Sequence, residues 1–144
     1  MPLKFTQGTP QMLRKLARLW WRRVGAQEWT LQISVKPETE FAATNESKEY
    51  ALAYLSVRHV LQPYIDAQVS INEYTLTRDE GFIRDTLVHE MRHLHYAKIA
   101  ELMKFLYESK HSATQDIAQK LIADLVEEMI ERDVALFREA YRGK

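Results

Sequence analysis

Leu87-Val88-His89-Glu90-Met91-Arg92-His93 is the stretch around which this chain can be organised. Read at 3.6 residues per turn, it puts Leu87, Met91, Leu94 and Leu102 on one side of a helix and Phe82, Thr86, His89, His93, Tyr96 and Ala100 on the other. The apolar side belongs against a core, and the histidine side then faces a cleft. His89 and His93 are four residues apart, so their rings leave one face about one turn apart and can reach the same small cation. Glu90 stands about 100° round from His89, badly placed as a ligand of that ion but able to take a proton from an attacking water and pass it to a leaving group. Chance alone yields an H-E-x-x-H string in on the order of one in a hundred chains of this length and composition. His95 lies about 200° round from His93 and points away from such a site, and His59 is expected at the end of an extended run.

Working outward, the motif helix is expected to start near Thr77, where Thr77 and Glu80 have capping-box spacing, and to run to about Glu108. Ser109 to Ser112 breaks it, and a last helix follows from about Ala113 to Tyr141. Its apolar stripe is Ile122, Leu125, Val126, Met129 and Phe137, with Asp133 in the middle. Towards the N-terminus, Trp29, Leu31, Ile33 and Val35 alternate with Thr30, Gln32 and Ser34, which is the period of a half-buried strand closed by Pro37. Glu38 to Lys48 reads as a loop, Tyr50 to Arg58 as a second extended run, and Ala67 to Asn72 as a short third strand. A first helix is expected from Pro10 to Val24, capped by Thr9, ended by Gly25, and buried through Met12, Leu13, Leu16, Leu19 and Trp20. Arg14, Lys15, Arg18, Arg22 and Arg23 form its remaining, cationic face. The expected class is α+β: an N-terminal helix, a small sheet of two to three strands, the motif helix and a long C-terminal helix. Residues 1–144 are expected to form one domain.

Composition narrows the function. Of 144 residues 46% are apolar, enough for one continuous core, and 20 basic against 20 acidic residues leave no net charge to favour a nucleic-acid or membrane-surface partner. Nucleic acid remains a partner only through the local cationic face of the first helix. No signal-peptide or membrane-length apolar run occurs, so a cytoplasmic protein without membrane contact is expected. There is no cysteine, so a metal must be held by His, Asp or Glu, and Zn2+ is the cofactor that two imidazoles at this spacing suit. A catalytic zinc needs a third protein ligand. Glu127, Glu128 and Asp133 on the last helix and His111 in the break are the candidates. Asp133, set in an apolar stripe, needs the metal, a ligand histidine's N–H or an arginine as partner.

The motif resembles that of the zincin metallopeptidases, and among them the gluzincin type, whose third ligand is a glutamate on a later helix. The resemblance covers Trp29 to about Phe137. It is nearest to the compact zincin-like proteins common in phage and mobile-element genomes, where a segment like E-x-[VI]-[VI]-x-R follows the motif. Here that segment is Glu127-Glu128-Met129-Ile130-Glu131-Arg132, with Met129 an imperfect fit. The resemblance implies a zinc-dependent peptidase acting on a peptide or protein, with His89, His93 and Glu127 as metal ligands and Glu90 as base. It also implies an edge strand that pairs with extended substrate, a role for which Gln68 to Asn72 is the candidate. Departures bound it. The metzincin extension would require Gly at Tyr96 and His at Ile99, the larger gluzincins place their glutamate near Ser112 and Ala113, and the SprT-like third histidine has a glycine-flanked context that His111 lacks. The alternatives are a zincin-like regulator or partner-binding protein with little turnover and a SprT-like protease acting on DNA-bound proteins.

Overall fold

Three parallel strands and one antiparallel edge strand make the sheet on which the helices of this protein are laid. The structure, a computed structural model, describes residues 3–24, 29–41, 53–58, 65–107 and 113–143. Strand β1 (Leu3–Phe5) leads through helix α1 (Gln11–Val24) to β2 (Trp29–Lys36), which pairs with β1 in parallel. Strand β3 (Ala53–Arg58) and strand β4 (Ile65–Asn72) then precede helices α2 (Glu80–Tyr107) and α3 (Ala113–Ala140). The strand order is β1-β2-β4-β3, with β4 parallel to β2 and antiparallel to β3. The mixed α and β class expected from the sequence is therefore present, but with four strands instead of two or three.

The added strand, β1, was beyond periodic analysis because it is only three residues long. A second correction matters more for function. Gln68 to Asn72 does not form an edge: β4 is internal, with Leu31 opposite Ala67 and Ile33 opposite Val69 on one flank and Leu55 opposite Val69 on the other. The edge beside it is β3.

The core is the layer between this sheet and the helices. Leu31, Ile33, Ala67, Val69 and Ile71 meet Leu13, Leu16, Ala17, Trp20 and Val24 of α1 and Ile83, Leu87, Val88, Met91 and Leu94 of α2. The buried face of α1 is centred on Ala17 and Trp20. Met12 and Leu19, expected inside, lie roughly 120° away from that centre; Met12 is exposed and Leu19 only half-buried. Thr9 does not act as expected either, since its hydroxyl donates to the Thr6 carbonyl at 2.8 Å. The α2 start also shifts. Thr77 sits in a 3-10 turn (Glu73–Thr77) and donates to the Tyr74 carbonyl, while Asp79 caps the helix by accepting from the Phe82 N–H at 2.8 Å. Asn72, fully buried, starts that turn by accepting from the Tyr74 N–H at 3.0 Å, which ties the end of β4 to the approach of α2. The expected loop from Glu38 begins with a 3-10 turn (Glu38–Glu40), and its remainder from 42, like Gly25, His59 and His111, lies outside the described residues.

Helix α3 packs antiparallel on α2 and buries Ile130 and Val134 against the core. One carboxylate of α3 ties the two helices together near their middle contact. Asp133 Oδ2 accepts from Arg92 Nε at 2.9 Å, from Arg92 Nη2 at 2.8 Å and from the Tyr96 hydroxyl at 3.0 Å. Of the partners open to Asp133 in the sequence, the arginine is the one found. The C-terminal end of α3 is held separately: Phe137 and Tyr141 stack on each other and meet Trp20 edge-on, and the Arg23 guanidinium lies over both Trp20 and Tyr141.

Asp133→Ala would leave the Arg92 cation half-buried without its partner, so it is expected to lower unfolding free energy by about 2 kcal/mol or more. Urea denaturation decides it; a loss below about 0.5 kcal/mol would mean that the contact does not hold the two helices together.

Candidate metal centre

The two histidines of α2 and the carboxylates of α3 converge because both helices present residues four apart and run antiparallel. His93 Nε2 lies 2.9 Å from Glu127 Oε1, and His89 Nε2 lies 3.3 Å from Glu127 Oε2. The two Nε2 atoms are 3.1 Å apart. These three side chains can each offer one donor atom, all within 4.8 Å of one another. A tetrahedral zinc with bonds of about 2.0–2.2 Å holds its donors about 3.3–3.5 Å apart, a spacing close to that of the two rings and of each ring from its nearer Glu127 oxygen.

Proton accounting also suits a cation. His89 Nδ1 lies 2.7 Å from Glu131 Oε1; with the proton on that nitrogen, the lone pair of a neutral His89 is on Nε2. That lone pair would then face the Glu127 carboxylate, acceptor against acceptor, unless a second proton or a metal ion lies between them. Burial holds the pKa of His93 below its ordinary value; the Glu127 charge opposes this, His89 adds to it and Glu131 opposes it. A neutral imidazole is the form that ligates metal.

Glu90 follows His89 but turns inward and is only 8% exposed. Burial pushes its pKa up from 4.5 to about 7; His89 pulls it down and Glu127 pushes it up. A carboxylate poised near neutrality can both accept and return a proton at physiological pH.

Beside Glu90 opens a cleft of about 390 Å3 between α2, α3 and the start of β3. Ala53, Phe82, Thr86 and Val134 line its middle, with His89, Glu90 and Glu131 on the wall at the donor triad. Among the expected site residues, His89, Glu90, His93 and Glu127 are thus brought together. Glu128 is exposed and outside the group, and Asp133 is engaged by Arg92 and Tyr96. His95, half-buried, is likewise outside the donor group. Glu131 had no role in the sequence reading. Its signal was present: Glu127 and Glu131 repeat on α3 the four-residue spacing of His89 and His93 on α2.

The cationic face of α1 is largely engaged within the chain. Arg14 donates to the Thr9 and Thr6 carbonyls, Arg14 and Arg18 lie over Phe5, and Arg23 covers Trp20. No helix among the described residues is long and apolar enough to cross a membrane. Fold and site define a mixed α and β protein with a His2Glu candidate metal centre. No protein-family model, curated protein or solved structure matches the chain.

The burial of Glu90 makes a pH-dependent prediction for the metal-free protein. Between pH 4.5 and about 7 the folded chain keeps a proton that the unfolded chain has lost, so this group's contribution to stability falls as pH rises through that window. Glu90→Gln removes the ionisation. The metal-free variant is therefore expected to be more stable than the metal-free wild type by about 2–3 kcal/mol at pH 8, and by much less at pH 5. Urea titrations at the two pH values test this, and equal differences at both would show that Glu90 ionises without penalty.

Proposed function

We propose that this protein is a zinc-dependent hydrolase of the zincin type, a metallopeptidase in which His89, His93 and Glu127 hold the metal and Glu90 is the general base. The observation that carries the proposal is the convergence of the three donor atoms beside a buried glutamate of raised pKa at the head of a cleft. The third ligand on a later helix fits the gluzincin resemblance. A zinc ion in this triad would supply Lewis acidity, polarising a peptide carbonyl and making water nucleophilic near neutral pH.

The chain's own residues do the rest. Glu90 takes the proton of the attacking water on its carboxylate and returns it to the leaving amine, which restores the starting state. Its burial keeps bulk water from competing for that proton. Glu131, whose carboxylate lies 2.7 Å from His89 Nδ1, favours the tautomer with the proton on that nitrogen and so leaves Nε2 for the metal. Strand β3 is the sheet edge nearest the cleft, since Ala53 lines it, and it takes the substrate-pairing role for which Gln68 to Asn72 had been the candidate. Backbone pairing of this kind binds extended chains with modest side-chain selectivity.

The purified protein is expected to bind about one zinc per chain. His89→Ala and His93→Ala should abolish that occupancy. Glu127→Ala should weaken zinc binding about 100-fold or more, Glu131→Ala about 10- to 100-fold, and Glu128→Ala hardly at all. Zinc titration ranks the variants; full occupancy in either histidine variant would place the metal elsewhere.

For the base, Glu90→Gln is expected to keep zinc but to lose hydrolysis of a denatured protein, followed as released amines, by about 100-fold or more. Wild-type turnover in that variant would remove Glu90 from the mechanism. Absence of turnover in a zinc-loaded wild type would favour the regulatory alternative.

A further inference from the structure

We propose that the cleft beside the donor triad takes a peptide residue carrying a carboxylate, and that Arg138 recognises it; this rests on the hydrolase reading above. The cleft is polar at two ends. One end carries His89, Glu90 and Glu131; the other carries Asp85 and Arg138. Asp85 precedes His89 by one turn of α2, about 6 Å along the axis, and Arg138 follows Glu131 by about 10 Å along α3. Between them the wall is effectively apolar, because the Thr86 hydroxyl is engaged by the Phe82 carbonyl at 2.9 Å and Phe82 and Val134 supply the rest.

The charge at the far end is positive. Asp85 Oδ2 pairs with Arg138 Nη2 at 2.5 Å, and Asp85 Oδ1 accepts from Arg84 Nε at 3.1 Å. One carboxylate thus serves two guanidinium groups and leaves an excess of one positive charge. Asp85 tethers one edge of the Arg138 plane. The remaining donors, on Nε and Nη1, make no hydrogen bond with any described residue, and the side chain is 52% exposed. A guanidinium held by one edge, with further N–H groups facing a cleft, is preorganised for a carboxylate. In the metal-free protein the other end of the cleft repels such a group, since Glu90, Glu127 and Glu131 gather there; a bound ion would offset that charge, and the unengaged donors of Arg138 then carry the selection. A substrate carboxylate is therefore directed to Arg138, about one helical turn from the level of His89. An acidic side chain next to the scissile bond can span that distance, and so can a terminal carboxylate.

Four small probes separate these sources: N-acetylglutamate with both carboxylates, N-acetylglutamine with the terminal one, N-acetylisoglutamine with the side-chain one, and N-acetylglutamine amide with neither. Each is titrated into the full chain, with and without zinc, while NMR follows the backbone amide signals of the residues lining the cleft and, in the wild type, the Arg138 Nε–H signal as well. At least one single-carboxylate probe is expected to bind about tenfold more tightly than the diamide, and which one does so names the source. Arg138→Gln should erase that preference, and Arg138→Lys, which keeps the charge without the fork, should retain part of it. Equal binding of all four probes by the wild type would overturn the proposal, as would a preference surviving in Arg138→Gln. Should Arg138→Gln fail to fold, the wild-type series and the Lys variant still decide. Zinc content is measured alongside, so failure of the hydrolase reading registers as absent metal, whereas failure of the present proposal registers as absent carboxylate preference.

Discussion

The alignment of α3 on α2 is the constraint on which the rest of this structure depends. Nothing in either helix alone makes a site: His89 and His93 lie on one, Glu127 and Glu131 on the other. A slip of one residue along α3 would move each glutamate by about 1.5 Å and turn it about 100° away. Two contacts between the helices guard against this, and a third braces α3 on α1. Asp133 joins Arg92 and Tyr96 in the middle, Arg138 meets Asp85 at the cleft end, and Trp20 receives Phe137 and Tyr141 at the C-terminal end. Arg92 lies inside the motif itself, so one of the side chains that set the register sits one residue from the one that register must serve.

Electrostatics at the site would be costly without that rigidity. Glu90, Glu127 and Glu131 crowd two imidazoles, and Glu90 has lost nearly all contact with water. Buried like charges raise each other's pKa and favour protonated or separated forms. Here burial dominates the Glu90 shift, while the more exposed Glu127 and Glu131 are oriented by the histidines. A divalent cation among these donors would reverse the local balance, which makes the arrangement intelligible as a binding site and awkward as a purely structural one.

Much of this was legible in the sequence, for identifiable reasons. The motif helix was plain because Leu87, Met91 and Leu94 repeat against a core while His89 and His93 repeat on the other side. β2 was plain because Leu31 and Ile33 alternate with polar residues. What failed was pairing. The alternation within Ala67 to Asn72 marks a strand but carries no record of its neighbours, and Gln68 and Asn72, though polar, lie in a strand flanked on both sides. Burial of Ser34 and Ser70, which face each other across β2 and β4, shows that the reverse face of the sheet is also covered there. Glu127 was favoured through family resemblance alone. Glu131 and Arg138 were invisible because their roles arise only once two segments distant in sequence are set side by side, and Asp133 had three plausible partners until that register was known.

The placement of the donors on two successive helices has a consequence for the energetics of the whole chain. On the proposed reading, a bound ion ties His89 and His93 to Glu127 across all the chain between them, and so closes a long loop. Such a closure removes conformational freedom from the unfolded ensemble, as a disulfide does, in a chain that has no cysteine with which to make one. Unlike a disulfide, this link is in equilibrium with its surroundings. Every tenfold rise in free metal above the dissociation constant would add about 1.4 kcal/mol to the stability of the fold. The melting temperature would then be a property of the solution as well as of the polypeptide, and the chain would report on metal supply through its own persistence.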